Sequence, residues 1–100
     1  MTISIKEING EVRASIEGRM DSLASEKAAG DFQLLNEQAD RHIEIDCSKL
    51  EYISSSGLRL FFVLQKQVKE KGGTLVIRNV NNNIREVFTI TGFYRIFDIR

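Results

Sequence analysis

Apolar residues change their spacing along this chain, and the change limits the folds that it can adopt. They alternate with polar residues over 2–17 and over 42–47, as in half-buried strands. Over 55–71 they recur every three or four residues, as on one face of a helix. Asn9-Gly10, a strong hairpin signal, divides the first segment, so residues 2–17 are predicted to form two antiparallel strands, the second ended by Gly18.

Three helices are predicted between and after the strands. Asp21 and Ser22 can each cap the first helix, and Gly30 inside its apolar pattern predicts that this helix is short or broken. The second helix, 55–71, ends at Gly72-Gly73 after a group of lysines that the helix dipole favours.

The carboxyl-terminal part adds one more strand, one more helix and a closing segment. Residues 74–78 are predicted to be a buried strand, and the asparagines at 81–83 to cap a third helix that Gly92 stops. Residues 48–53 are predicted to be a loop. The tail, 93–99, is predicted to be a short strand or turn whose apolar residues close the core: Ile96, Phe97 and Ile99.

The resulting element order, β-β-α-β-α-β-α-β, predicts an α/β fold in one domain spanning residues 1–100. Strands separated by single helices favour parallel pairing with right-handed crossovers. The expected architecture is a mixed sheet of about four to five strands, with an antiparallel opening hairpin and with the helices packed chiefly on one face.

Composition excludes several classes of function. The 14 basic and 14 acidic residues cancel, which argues against a nucleic-acid partner, since that kind of binding depends on a basic surface. No apolar run approaches the ~20 residues that span a bilayer, so membrane insertion is not expected. Cys47 is the only cysteine, which excludes an intramolecular disulfide. A cytoplasmic protein is expected, as a monomer or weak dimer.

The common catalytic and cofactor-binding patterns are absent. His42 is the only histidine, and a Ser-His-Asp triad would need its ring to reach distant serines from an outward strand position. Cys47 alternates with isoleucines and is expected to be a small buried hydrophobe. Glu44 and Asp46 are expected on a solvated strand face, with a loop-fixing hydrogen bond as a further possibility for Asp46. No zinc ligand set or phosphate-binding glycine loop occurs, so neither a metal nor a cofactor is predicted.

Two features of the second helix bear on function. Three consecutive serines, at 54–56, stand at its start, where one hydroxyl is enough to cap the free N–H groups. A phosphate on a second hydroxyl would be stabilised by the same N–H groups and by the helix dipole. The serines can therefore serve as a phosphorylation switch or as a simple cap, and both interpretations stay open. Phe61 and Phe62 are adjacent, so at most one can point squarely at the sheet; the other should be partly exposed.

Residues 46–77, DCSKLEYISSSGLRLFFVLQKQVKEKGGTLVI, resemble the core of the STAS domain, the family of the bacterial anti-sigma factor antagonists. Asp46 matches the family's strand-end aspartate, and residues 55–58 match its Ser-Ser-Gly-Leu. Residues 18–21, GRMD, resemble its Gly-x-apolar-Asp, and IREVFTITGFYRIFDI is similar to its final helix, glycine and closing strand. The resemblance extends over essentially the whole chain.

The resemblance implies a regulator in a partner-switching system rather than an enzyme. Its partner would be an anti-sigma factor with serine kinase activity, and the phosphoacceptor would be Ser55, with Ser54 and Ser56 as second choices. The partner-binding residues would be Asp21, Ser54, Ser56, Gly57 and Leu58.

One position departs from the family pattern, because Ser54 replaces the aspartate that precedes the acceptor serine. This departure keeps open a second function, a STAS adaptor subunit that is never phosphorylated, in a membrane transport or stress-signalling complex. An enzyme or nucleotide-binding module is the third alternative, against which the absent motifs argue.

Overall fold

The computed structural model describes residues 1–100. The strands are β1 (Thr2–Ile8), β2 (Glu11–Met20), β3 (His42–Ile53), β4 (Thr74–Arg78) and β5 (Asp98–Ile99). The helices are α1 (Ser22–Glu37), α2 (Ser55–Lys71), α3 (Asn82–Ile90) and a 3-10 turn (Phe93–Arg95). The predicted element order and α/β class are confirmed.

The five strands form one mixed sheet in chain order, β1-β2-β3-β4-β5. β1 and β2 are antiparallel, joined by Asn9 and Gly10, whose φ angles of 52° and 81° are those of a tight hairpin turn. The remaining neighbours pair in parallel, as crossovers through single helices require. The predicted sheet and its opening hairpin are therefore confirmed.

One hydrophobic core lies between the sheet and its helices. Alternate residues of the strands, such as Ile16, Ile43 and Ile77, are fully buried in a single apolar cluster with the inward residues of the helices. A row of aromatic contacts crosses this core from α1 to the tail: Phe32–Phe61, Phe61–Phe88, Phe88–Phe93 and Phe93–Phe97, with ring centroids 4.6–6.4 Å apart. No helix of the chain has the length and apolar content needed to cross a bilayer.

The predicted loop at 48–53 is wrong, because β3 continues through it to Ile53. This half of β3 pairs with the end of β2, where the register shifts between Ser15 and Glu17 and again after Gly18. Such bulges break strict alternation, so the burial of this half does not follow a period of two. Gly18 does not end β2; it adopts φ 103° inside the strand.

Two further predictions need correction. Gly30 neither shortens nor breaks α1, which runs unbroken for 16 residues because buried Ala28 and Phe32 on either side hold it on the core. Ile96 does not close the core, since it is 38% exposed, whereas Phe97 is buried as predicted, Ile99 is partly buried against the core, and Phe93 is buried in addition. The tail turns at the 3-10 segment, which directs Ile96 outward.

Candidate functional site

Ser54 is the N-cap of α2 and is almost completely buried. Its backbone is extended, with φ −86° and ψ 171°, and its Oγ accepts a hydrogen bond from the Gly57 amide at 3.2 Å. Its own amide donates to the Met20 carbonyl at 2.8 Å, and its Oγ lies 3.3 Å from that of buried Ser25 in α1. Ser54 therefore fixes the start of α2 against the end of β2 and against α1.

Ser55 and Ser56, the first two residues of α2, are both exposed. They belong to the first turn of α2, whose backbone N–H groups have no partner inside the helix. Ser55 is thus the exposed first residue of the helix, while the preceding serine is occupied by capping.

Asp21 stands at the start of the adjacent helix and is exposed. Its Oδ1 accepts a hydrogen bond from the Ala24 amide at 2.8 Å, which makes it the N-cap of α1. The Met20 carbonyl at the end of β2 accepts a hydrogen bond from the Ser54 amide. The amino termini of α1 and α2 therefore lie side by side, at the carboxyl ends of β2 and β3.

The residues predicted to bind a partner differ in their exposure. Asp21 and Ser56 are exposed and Leu58 is half-buried, so a partner can reach them. Ser54 and Gly57 are buried and shape the surface from beneath. A Cβ on Gly57 would lie 2.9 Å from Ile53 Cγ1, which shows how closely α2 packs on β3.

An apolar groove adjoins Ser55 on the outer side of α2. Its lining consists of Ser55, Leu58, Arg59, Phe62 and Phe93; it is shallow and open to solvent, with a volume of about 310 Å³. Phe62 is 48% exposed while Phe61 is completely buried, which confirms the expected division of the two rings. Sequence reasoning missed Arg59 and Phe93. The position of Arg59 one turn after Ser55 could have indicated its place, whereas nothing local to Phe93 predicts this contact.

On the open face of the sheet, Glu44 is buried instead of solvated, which corrects its predicted exposure. Arg78 donates a hydrogen bond to Glu44 Oε1, His42 Nε2 lies 3.1 Å from Oε2, and Arg13 approaches Oε2 at 3.6 Å. The Arg78 hydrogen bond lowers the pKa of Glu44; burial opposes this, and His42 and Arg13 reinforce it. Glu44 is thus an ion-pair centre that joins three strands.

Two other polar side chains of β3 also have structural roles. Burial would raise the pKa of Asp46, but hydrogen bonds from the Ser48 amide and from Asn79 lower it overall. Asp46 therefore links the interior of β3 to Asn79, which follows β4; the loop that it was expected to fix is part of the strand. Burial raises the pKa of the Cys47 thiol to about 12, with a smaller contribution from Asp46, so this thiol is not a nucleophile.

One cluster on this face has the atoms of a metal site. Ligand atoms of Glu11, His42 and Glu44 lie within 4.8 Å of one another. The guanidinium groups of Arg13 and Arg78 already occupy both oxygens of Glu44 and would repel a cation there. His42 begins the 12-residue strand β3 and Ser55 follows the end of that strand, so the two side chains lie too far apart to form a catalytic pair.

Several known proteins resemble this chain over nearly its whole length. BtrV of Bordetella bronchiseptica, a candidate anti-sigma factor antagonist, is 31% identical over 99 residues, which cover 99% of this chain and 85% of BtrV. The anti-sigma-B factor antagonist of Bacillus subtilis is 27% identical, with 99% of this chain and 90% of that protein covered. The phosphorylated form of the Bacillus cell fate determinant SpoIIAA superposes with a TM-score of 0.74 at 18% identity, over 99% of this chain and 91% of that one. The STAS domain family matches residues 2–100, which is nearly the whole chain. This chain therefore belongs to the STAS domain family.

Proposed function

We propose that this protein is a cytoplasmic anti-sigma factor antagonist that binds an anti-sigma factor with serine kinase activity and is released when Ser55 is phosphorylated. Two relatives named as anti-sigma factor antagonists, one of them a candidate, support the class of partner. SpoIIAA, which shares the fold, occurs in a phosphorylated form. The observation that carries the proposal is the contrast at the start of α2, where Ser54 is a buried cap and Ser55 is exposed beside it.

A phosphate on Ser55 is compatible with the fold. It adds about −1.5 to −2 charges at the positive end of α2, where the dipole and the free N–H groups favour an anion. Ser54 keeps the capping hydrogen bond, so the acceptor hydroxyl is free for modification without loss of the cap. The chemical change is therefore confined to the surface.

The same phosphate opposes a partner bound at this surface. The groove next to Ser55 is lined mainly by Leu58, Phe62 and Phe93, which suits an apolar side chain of the partner. The complex could form only if the doubly charged phosphate at the edge of the groove lost its water. This desolvation is costly unless the bound protein supplies a cationic group. Phosphorylation is therefore expected to release the partner.

A second candidate, the fixed adaptor subunit that is never phosphorylated, is favoured by the residue at position 54. The family has an aspartate there, and Ser54 retains the capping role but supplies no charge beside the acceptor. If a kinase needs that carboxylate, Ser55 would remain unmodified.

Binding and mass measurements on Ser55 variants distinguish the two candidates. Ser55→Asp should weaken binding to the cognate anti-sigma factor at least tenfold, a loss of about 1.4 kcal/mol or more, because it places a charge at the edge of the interface. Ser55→Ala should bind and should not be released by ATP. Incubation of the parent with the anti-sigma factor and ATP should add one phosphate, seen by intact mass.

The matched control is Asn82→Asp, at the exposed first residue of α3. It places the same charge at the start of a helix that carries no predicted partner-binding residue, so it should weaken binding less than Ser55→Asp if the effect is specific to position 55. Parental affinity in Ser55→Asp, together with no added phosphate, would instead establish the adaptor.

A further inference from the structure

Arg59 is the charged residue in the groove beside Ser55. The other residues of the lining are a serine and three apolar side chains, so its guanidinium is the only charged group on the wall. Arg59 is exposed, and none of the ion pairs or cation–π contacts of the structure includes it. A free guanidinium therefore borders the same groove as the proposed phosphoacceptor.

The spacing of Ser55 and Arg59 is the one at which helical side chains interact. Residues four apart in a helix have Cβ atoms about 5–6 Å from each other. The order also matters, because an anion four residues before a cation is the favourable arrangement in a helix, in keeping with the dipole. A phosphate on Ser55 would meet all of these conditions.

We propose that Arg59 is the intramolecular partner of the phosphate on Ser55, an inference that rests on the proposed function. Its guanidinium donates charge-assisted hydrogen bonds to phosphate oxygens, while the free amides of α2 approach the phosphate from the helix end. Phosphorylation then adds negative charge to the groove. The phosphate also pairs with Arg59, so the one cation of the groove is no longer free to bind a partner. Arg59 thus positions the phosphate and couples the modification to the binding surface.

Two charged groups at the end of β2 and the start of α1 have contacts of their own. The Asp21 carboxylate accepts the Ala24 amide at the start of α1. The Arg19 guanidinium lies 4.6 Å from the centre of the Tyr52 ring. Arg59, four residues after Ser55, is the cation of this groove and its guanidinium is free.

A phosphorus NMR titration of the full chain carrying phosphoserine at position 55, inserted during translation, tests the proposal. The second pKa of phosphoserine is normally about 6. Because Arg59 favours the dianion, Arg59→Gln should raise that pKa by about 0.3 unit or more, the equivalent of a helical i,i+4 ion pair. Arg59→Lys keeps the charge without the bidentate geometry and should restore part of the shift.

The control is Lys66→Gln, which removes an exposed cation further along the same helix. Lys66 is eleven residues after Ser55, roughly 16 Å along the helix axis, which exceeds the Debye length of about 8 Å at physiological ionic strength. The pKa of the phosphoserine should therefore stay at its parental value in this variant.

An unchanged pKa in Arg59→Gln, or an equal shift in Lys66→Gln, would overturn the proposal. A merely structural role of Arg59 would alter thermal stability and leave the phosphate pKa unaltered. The phosphoserine is installed without a kinase and observed without a partner, so the titration gives its result whether or not an anti-sigma factor binds. Failure of the proposed function would appear only in the binding and mass measurements on Ser55.

Discussion

Ser54 and Ser55 are adjacent in the chain and have opposite environments because of their positions relative to the first turn of α2. The N-cap side chain folds back toward the amide two or three residues later, so the Ser54 hydroxyl points inward, to Gly57. The next residue already has helical geometry, and its side chain leaves the axis on the outer side. A single step along the backbone thus separates a structural hydroxyl from an accessible one.

Gly57 belongs to the same turn and is the residue on which its close packing depends. An alanine Cβ there would lie 2.9 Å from Ile53 Cγ1 and 3.1 Å from Met20 Cγ, so neighbouring side chains would have to move. We expect Gly57→Ala to lower the free energy of unfolding by about 1–2 kcal/mol, the overpacking cost less the helix-propensity gain. Urea unfolding of the purified variant measures this.

Gly30 provides the matched control, since it lies in α1 and a Cβ added there would have no neighbouring atom within 4 Å. Gly30→Ala should stabilise the protein by roughly 0.5–1 kcal/mol through helix propensity alone. The two substitutions are chemically identical and should have opposite signs. Equal effects would show that the contacts of Gly57 impose no constraint.

At the scale of the element, α2 presents one buried face to the sheet and one partly exposed face to the groove. Phe61 is completely buried between Phe32 and Phe88, at centroid distances of 5.3 and 6.4 Å. Phe62, one position later and rotated by about 100°, is 48% exposed beside Phe93 in the groove. The two faces give the helix a stabilising side and a binding side.

The two phenylalanines should therefore respond differently to truncation. Phe61→Ala should cost about 3–5 kcal/mol of stability, because it opens a cavity in the aromatic row. Phe62→Ala should cost roughly 1 kcal/mol or less, since half of its ring is already in water, and should weaken partner binding instead. Chemical denaturation and binding titrations of both variants check this, and equal large stability losses would contradict the division of faces.

The limits of sequence reasoning also appear at this scale. Helix caps, the Asn9-Gly10 hairpin and the period of α2 are local, so the residues themselves predicted them. The extension of β3 to Ile53 depends on register shifts in its pairing with β2, which is a contact between distant segments. The contribution of Phe93 to the groove is likewise a long-range contact, made 31 positions after Phe62 in the chain. Serine accessibility was predictable because capping geometry is local.

At the scale of the whole molecule, Glu44 links three strands on the face of the sheet opposite the helices. Arg78 of β4 and Arg13 of β2 both approach its carboxylate, and His42 lies beside it in β3. The ion pairs keep the pKa of Glu44 below its ordinary value of 4.5, so folding favours the charged form. Asp46, whose pKa is also lowered, contributes in the same direction.

The sign of the resulting pH dependence follows from linkage. A carboxyl whose pKa is lower in the folded state stabilises the fold fully above its unfolded pKa, here 4.5 for Glu44. That stabilisation is lost progressively as pH falls through this value and then through the lower folded pKa. The protein should therefore become less stable on acidification below roughly pH 5.

Glu44→Gln separates the contribution of this one carboxylate from the rest. At pH 7 the variant should be less stable by roughly 1–3 kcal/mol, because charge-assisted hydrogen bonds to both arginines are lost or weakened. The difference from the parent should shrink as pH falls below 4.5 and through the lower folded pKa of Glu44, while the contribution of Asp46 remains in both proteins and cancels. Urea unfolding at a series of pH values measures the difference. The control is Glu70→Gln, because Glu70 is exposed and belongs to none of the ion pairs of the structure. This variant should show little change in stability at any pH. A stability difference that stays constant with pH would mean that Glu44 joins the three strands through packing and neutral hydrogen bonds rather than through its charge.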